Sequence, residues 1–187
     1  MSEILTKIHN KKIIAVIRAE SPKSAVEVCE ACIDGGIDVI EVTYSIPRAS
    51  RVISELKEKI GDRIILGAGT VLDSETAKNA IEAGAQFIVG PNLSIGTAKL
   101  CGRYAVPYVP GIMTPTEAVT ALENGMQVVK VFPANLVGPN FIKALKGPLP
   151  QIQIIPTGGV SKDNILDWLK AGAFAVGVII PGTYGTA

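Results

Sequence analysis

The chain has 187 residues, 48% of them apolar and 19% charged, a balance that excludes a disordered chain and suits one folding unit. The formal net charge is +1 with acids and bases mixed along the sequence, so no basic stripe argues for nucleic acid and a small-molecule partner is expected. Met1–Lys12 is polar and lacks the apolar core of a signal peptide, and no later apolar run reaches membrane-spanning length. No membrane partner is expected, and the setting reads as cytoplasmic and reduced.

From Ile13 onward the chain repeats a unit: a short apolar run, a loop with Gly, Pro or Ser, then a helical stretch. In chain order the strands are predicted at Ile13–Arg18, Val39–Thr43, Ile64–Gly67, Phe87–Val89, Tyr108–Pro110, Val128–Phe132, Gln153–Pro156 and Ala175–Val178. Most are rich in Val or Ile with few charges, as strands buried on both faces should be. Between them lie helix candidates near 22–34, 47–59, 74–83, 94–104, 114–124, 139–146 and 161–171. Capping signals open several of these, at Ser21-Pro22, Ser74, Thr114-Pro115 and Ser161.

Eight strands alternating with helices, with no linker-like stretch, predict a single (β/α)₈ TIM barrel over residues 1–187. After the eighth strand the remaining Ile179–Ala187 are too short and too rich in Gly and Pro for a closing helix, so the last outer helix is expected to be missing. That would leave the outer faces of the first and eighth strands partly uncovered.

Three cysteines make no disulfide framework. Cys29 and Cys32 have CxxC spacing, but they fall within a helical run, and neither a second CxxC nor a His pair follows; His9 is the sole histidine. Ordinary buried helix cysteines are the better reading, and no metal site is expected.

The chemistry gathers on three strands. In Val128-Val129-Lys130-Val131-Phe132 one amine sits mid-strand, and alternation sends 128, 130 and 132 to one face. With 129 and 131 under the helices, Lys130 points into the barrel. Burying an ammonium is costly, so the neutral, nucleophilic amine becomes accessible, as carbonyl attack requires. The alternative is a structural lysine held by a carboxylate. Glu41, alone among branched residues in Val39-Ile40-Glu41-Val42-Thr43, would share that interior. The two groups could neutralise each other, or divide nucleophilic and acid–base work. Arg18 lies at the mouth end of the first strand, where barrel enzymes keep their sites. Two glycine motifs, Gly67-Ala68-Gly69-Thr70-Val71 and Pro156-Thr157-Gly158-Gly159-Val160, follow strands and could bring backbone amides against a ligand; Ser161 would add a helix N-terminus there for an anion. The eighth loop, read as beginning Ile179-Ile180-Pro181, offers neither hydroxyl nor glycine at its first positions.

These residues sit in a pattern that resembles the 2-dehydro-3-deoxy-phosphogluconate (KDPG) aldolase / 4-hydroxy-2-oxoglutarate (KHG) aldolase family along nearly the whole chain. The matching stretches are Ile37–Pro47, Leu66–Leu72, Gly84–Asn92, Val109–Glu117, Lys130–Ala134, Lys146–Pro148 and Pro156–Val160. The resemblance implies a Schiff-base lysine at Lys130 and an acid–base glutamate at Glu41. It also implies a pyruvate-carboxylate threonine at Thr70, pocket-lining residues at Pro91 and Phe132, and a phosphate-side loop at Thr157, Gly158 and Gly159. A class I aldolase acting on a 2-oxo acid to release pyruvate, without metal or organic cofactor and as a homotrimer, is what the family implies. Two positions depart from the pattern. Ser45 stands where some members carry a carboxylate-holding arginine, a role Arg18 could assume, and Ile179-Ile180 stand where Gly-Ser is usual. Two rival readings are a phosphosugar isomerase or epimerase using Glu41 as base, and an inactive variant that binds an oxo acid.

Overall fold

Residues 1–181 are described by a computed structural model of the chain. The elements run α1 (Glu3–Lys11), β1 (Ile13–Arg18), α2 (Pro22–Asp34), β2 (Val39–Thr43), α3 (Ala49–Ile60), β3 (Ile65–Gly69), α4 (Ser74–Glu82), β4 (Phe87–Val89), α5 (Ile95–Arg103), β5 (Tyr108–Val109), β6 (Gly111–Ile112), α6 (Pro115–Glu123), β7 (Val128–Val131), α7 (Asn140–Lys146), β8 (Gln153–Pro156), α8 (Ile165–Lys170) and β9 (Val176–Pro181). Every strand pairing is parallel, which requires a crossover between neighbours, and helices supply most of them.

Pro110 carries no N–H; the strand predicted at Tyr108–Pro110 stops before it as β5, and β6 follows at Gly111–Ile112 in a second sheet. One sheet has the order β5-β4-β3-β2-β1-β9 and the other β6-β7-β8. Across the division the Lys130 N–H donates to the Pro110 carbonyl at 2.7 Å. At the opposite seam the Phe174 N–H donates to the Ile154 carbonyl at 2.8 Å, and Thr157 bridges Gly177 in parallel. The two sheets are thereby stitched into a barrel-like ring.

Alternation along these strands sorts the apolar residues into two cores. Inward residues Ile14, Val16, Val39, Ile65, Phe87, Val89, Val109, Val128 and Ile155 fill the lumen together with Phe174. Their outward neighbours, among them Ile17, Ile40, Leu66, Ile88, Val129 and Ile154, pack against Ile53, Leu56, Ile142 and Trp168 from the surrounding helices. Caps stop the helices from leaving bare amides. Ser21 and Thr114 cap as the sequence predicts, and Thr114 forms a full capping box with Glu117.

The structure corrects the sequence reading at several points. The polar Met1–Lys12 segment holds a helix the sequence does not predict, α1 at Glu3–Lys11 capped by Ser2, and Ile8 is fully buried in the lumen core with Ile4 and Leu5 beside it. Asp73, not Ser74, caps α4, through the Thr76 N–H at 2.7 Å. Ser161 opens no helix: residues 161–164 form a turn in which the Asn164 side chain bonds the Ser161 N–H and the Gly159 carbonyl, and α8 starts only at Ile165. β3 runs through Gly69, two residues past the predicted end at Gly67, so Gly69 is a strand residue rather than a loop. β9 runs through Pro181, with Ile179 paired to Val16 and Ile180 to Ile17, so these isoleucines are strand and not loop. The expected absence of a closing helix falls on residues 182–187, outside the described residues. No helix among the described residues is long and apolar enough to cross a membrane.

Candidate active site

Lys130 projects into the lumen from β7, as the alternation with buried Val129 and Val131 predicts. Glu41 projects inward from β2 by the same logic. They are 5% and 2% exposed, and no other Asp, Glu, Lys or Arg among the described residues is buried. Lys130 Nζ lies 3.5 Å from Glu41 Oε1 and 5.2 Å from the centre of the Phe132 ring.

That separation is an ion-pair distance but a poor hydrogen bond, and Glu41 Oε1 is a buried oxygen with no hydrogen-bond partner among the described residues. A structural pair would close such a gap, because a buried unsatisfied carboxylate oxygen is costly. Beside the pair is a cavity of about 10 Å³ lined by Glu41, Lys130, Thr157, Phe87, Val89 and Val109, with Ile8 and Ile14 among its other walls. This is the scale of one water molecule. A wider hollow of about 510 Å³, lined by Lys11, Asp38 and Gln86 among others, includes neither Lys130 nor Glu41.

The other predicted residues fall at or just beyond the C-terminal ends of the strands. Arg18 ends β1 and is exposed, with Pro181 its register partner on β9; it does not join the buried pair. Thr70 follows β3 with φ at 56°, a conformation in which a β-branched residue is an outlier. Strain of that kind concentrates at working sites. Pro91 and Phe132 are half-buried just past β4 and β7. Thr157 is buried on the cavity wall. Gly158 and Gly159 turn the chain with φ of 91° and 74°, the left-handed region where glycine carries no steric penalty. Asn135 N–H donates to the Gly158 carbonyl at 3.0 Å, tying this turn to the segment after β7.

Sequence reasoning gave no site role to Thr43, Phe87 or Val109, and a different one to Gly69. Thr43 Oγ1 donates to the Ile17 carbonyl at 2.8 Å and lies 2.7 Å from Ser45 Oγ, so the hydroxyl of Ser45 is held at the end of β2. Phe87 and Val109 form apolar walls of the cavity; alternation on their strands was the available signal. Gly69 was read as a ligand-approach glycine, but a Cβ there would lie 1.9 Å from Glu41 Oε1. The cysteines stay with the helices: Cys29 is buried in α2, where burial pushes its thiol up to about 12. Tyr44 Oη is a second buried polar atom without a partner, and desolvation raises its phenol to about 12, so it is a protonated donor at neutral pH.

A parallel α/β barrel with one amine and one carboxylate buried together in its lumen defines a class: barrels whose interior can support nucleophilic and acid–base chemistry. Comparison with known proteins narrows the class. Residues 4–184 match the family described as KDPG and KHG aldolase, and the chain belongs to that family. It is similar to 2-dehydro-3-deoxy-6-phosphogalactonate aldolase of Escherichia coli K12, 37% identical over 89% of this chain and 82% of that protein. It also resembles the structure of KDPG aldolase from Legionella pneumophila with pyruvate captured at low pH as a covalent carbinolamine intermediate. There the TM-score is 0.87 at 28% identity, covering 95% of this chain and 86% of that one. A cube-shaped porous cage designed by fusing symmetric oligomeric domains is similar at TM-score 0.87 and 35% identity, over 94% of this chain and 66% of the cage chain.

Proposed function

We propose that this chain is a class I aldolase that cleaves a 3-deoxy-2-oxo acid to pyruvate and an aldehyde, with Lys130 as the nucleophile and Glu41 as the proton carrier. The observation that carries this reading is the buried Lys130–Glu41 pair, 3.5 Å apart, whose facing carboxylate oxygen has no hydrogen bond. Family membership and the carbinolamine trapped in the Legionella enzyme support the same assignment.

The neutral Lys130 amine attacks the C2 ketone, and the carbinolamine loses water to an iminium. The iminium accepts the electron pair of the C3–C4 bond as that bond breaks. Glu41 takes the C4 hydroxyl proton, directly or through one water, so the aldehyde leaves neutral. Protonation of the resulting enamine at C3 and hydrolysis of the iminium return pyruvate and free Lys130. Phe132 and the lumen residues Phe87, Val89 and Val109 shield the reacting carbons from bulk water. Thr70, Pro91 and Arg18 are assigned to the pyruvate end at the mouth. Thr157, Gly158 and Gly159, where two left-handed glycines turn the chain, are assigned to an anionic end such as a phosphate. The substrates that fit are 2-dehydro-3-deoxy-6-phosphogluconate, giving glyceraldehyde 3-phosphate, and 4-hydroxy-2-oxoglutarate, giving glyoxylate. The 6-phosphogalactonate epimer belongs in the same series by similarity to the E. coli protein.

A homotrimer in the cytoplasm is the setting we infer. Support comes from the family resemblance, from the half-buried outward residues Val178 and Ile180 on β9, and from the use of a similar chain in a designed symmetric assembly. The activity test is pyruvate release, coupled to lactate dehydrogenase, from each of the three substrates with equal amounts of protein. Release from at least one is expected. Absence of release from all three by folded protein contradicts the proposal.

A further inference from the structure

We propose that Gly69 is a positioning residue for Glu41, reserving by its missing side chain the space in which the carboxylate operates. This rests on the aldolase reading above and adds to it a residue on a third strand. Gly69 sits in the last position of β3 with ordinary strand pairing: its register partner is Thr43, and its carbonyl accepts the Tyr44 N–H at 2.8 Å. It is absent from the positive-φ glycines, so the backbone there would accommodate any L-residue. Glycine within a strand sacrifices packing and costs conformational entropy, and so needs a spatial reason.

The reason is Glu41. A Cβ at residue 69 would lie 1.9 Å from Oε1, 2.6 Å from Cδ and 2.7 Å from Cγ, so turning the carboxylate alone would not clear it. Glu41 stands opposite Gly67 in the register, and its side chain reaches beyond that position to Gly69, toward the C-terminal end of the barrel. Gly67 serves another neighbour, since its Cβ would lie 2.3 Å from the Phe87 ring. The cavity beside Glu41 is only about 10 Å³, which leaves a displaced carboxylate little room to retreat. Alanine at 69 would therefore move the carboxylate away from its place 3.5 Å from Lys130 while leaving the amine itself untouched.

The experiment separates the two groups. Exchange of the pyruvate methyl protons with deuterated solvent reads Glu41: the carboxylate takes a proton from C3 of the iminium, the C–H pair becomes the enamine double bond, and a deuteron returns by the reverse path. The end-point adduct formed with pyruvate and borohydride reads Lys130. Gly69→Ala is expected to keep the end-point adduct but to lose roughly 10²-fold or more in exchange, the scale of a misplaced general base. Glu41→Asp, one methylene shorter, is expected to lose exchange as well. The double variant G69A/E41D is expected to recover at least about tenfold over either single change, because the shorter acid fits beside the new methyl. Wild-type exchange in Gly69→Ala, or a double variant no better than its worse parent, overturns the assignment. So does failure of both Gly69→Ala and the double variant to fold, since the glycine would then be a packing requirement alone. Wild-type protein giving neither adduct nor exchange would instead contradict the aldolase reading itself.

Discussion

The lumen and the shell of this barrel are built from the same strands yet obey different rules. The shell, between strands and helices, is built of apolar residues such as Leu56, Ile53 and Val129, with the Thr97 hydroxyl buried on α5 and no buried charge among the described residues. The lumen is smaller and mixed: its Val, Ile and Phe residues enclose Lys130, Glu41 and Thr157. Glycines stand where larger residues would collide with Glu41, Phe87 or Thr157. A single residue step along a strand separates the two regions. The shell maximises burial and sets stability; the lumen gives up some burial to hold two groups that a stable core would exclude.

The sharpest break of this contrast is Lys130→Met. It should abolish turnover and, by leaving Glu41 buried and alone, destabilise the fold by about 3–5 kcal/mol in chemical denaturation. Adding Glu41→Leu should restore stability to wild type or about 1–4 kcal/mol above it while the protein stays inactive. If the double variant is no more stable than the single, the pair is structural and the contrast fails. Glu41→Gln should lower kcat by roughly 10²–10⁴-fold with the amine still present. In the shell, Leu56→Ala should cost about 2–5 kcal/mol and leave kcat per folded molecule within about twofold of wild type. A large fall in kcat there would mean that the two cores are not separable. Smallest is Thr70→Gly, which relieves a strained φ of 56° and should raise stability by about 1 kcal/mol while raising KM for the oxo acid. Lower stability would remove strain as the explanation for that backbone.

Much of the contrast was legible in the sequence because period-two alternation is written directly into it. Val128-Val129-Lys130-Val131 and Val39-Ile40-Glu41-Val42 each carry one charge on the inward phase, and both inward directions hold. Contacts between distant segments were not legible. Gly69 read as a glycine that brings backbone amides to a ligand because nothing local says that Glu41, paired two residues back in the register, leans into its place. Ile179 and Ile180 read as a loop because the extent of β9 is set by pairing with β1, more than 160 residues earlier. α1 was missed although Ile4, Leu5 and Ile8 follow helical spacing behind the Ser2 cap; its polar face dominated the composition. Ser161 carried a true capping preference, but the Asn164 side chain takes the Ser161 N–H and delays the helix.

The most direct test is borohydride trapping with pyruvate followed by peptide mass mapping, on wild type and Lys130→Ala. The account predicts a single adduct of reduced pyruvate on the peptide containing Lys130, lost in the variant. Folded wild-type protein without an adduct, or with the adduct on another lysine, would contradict it.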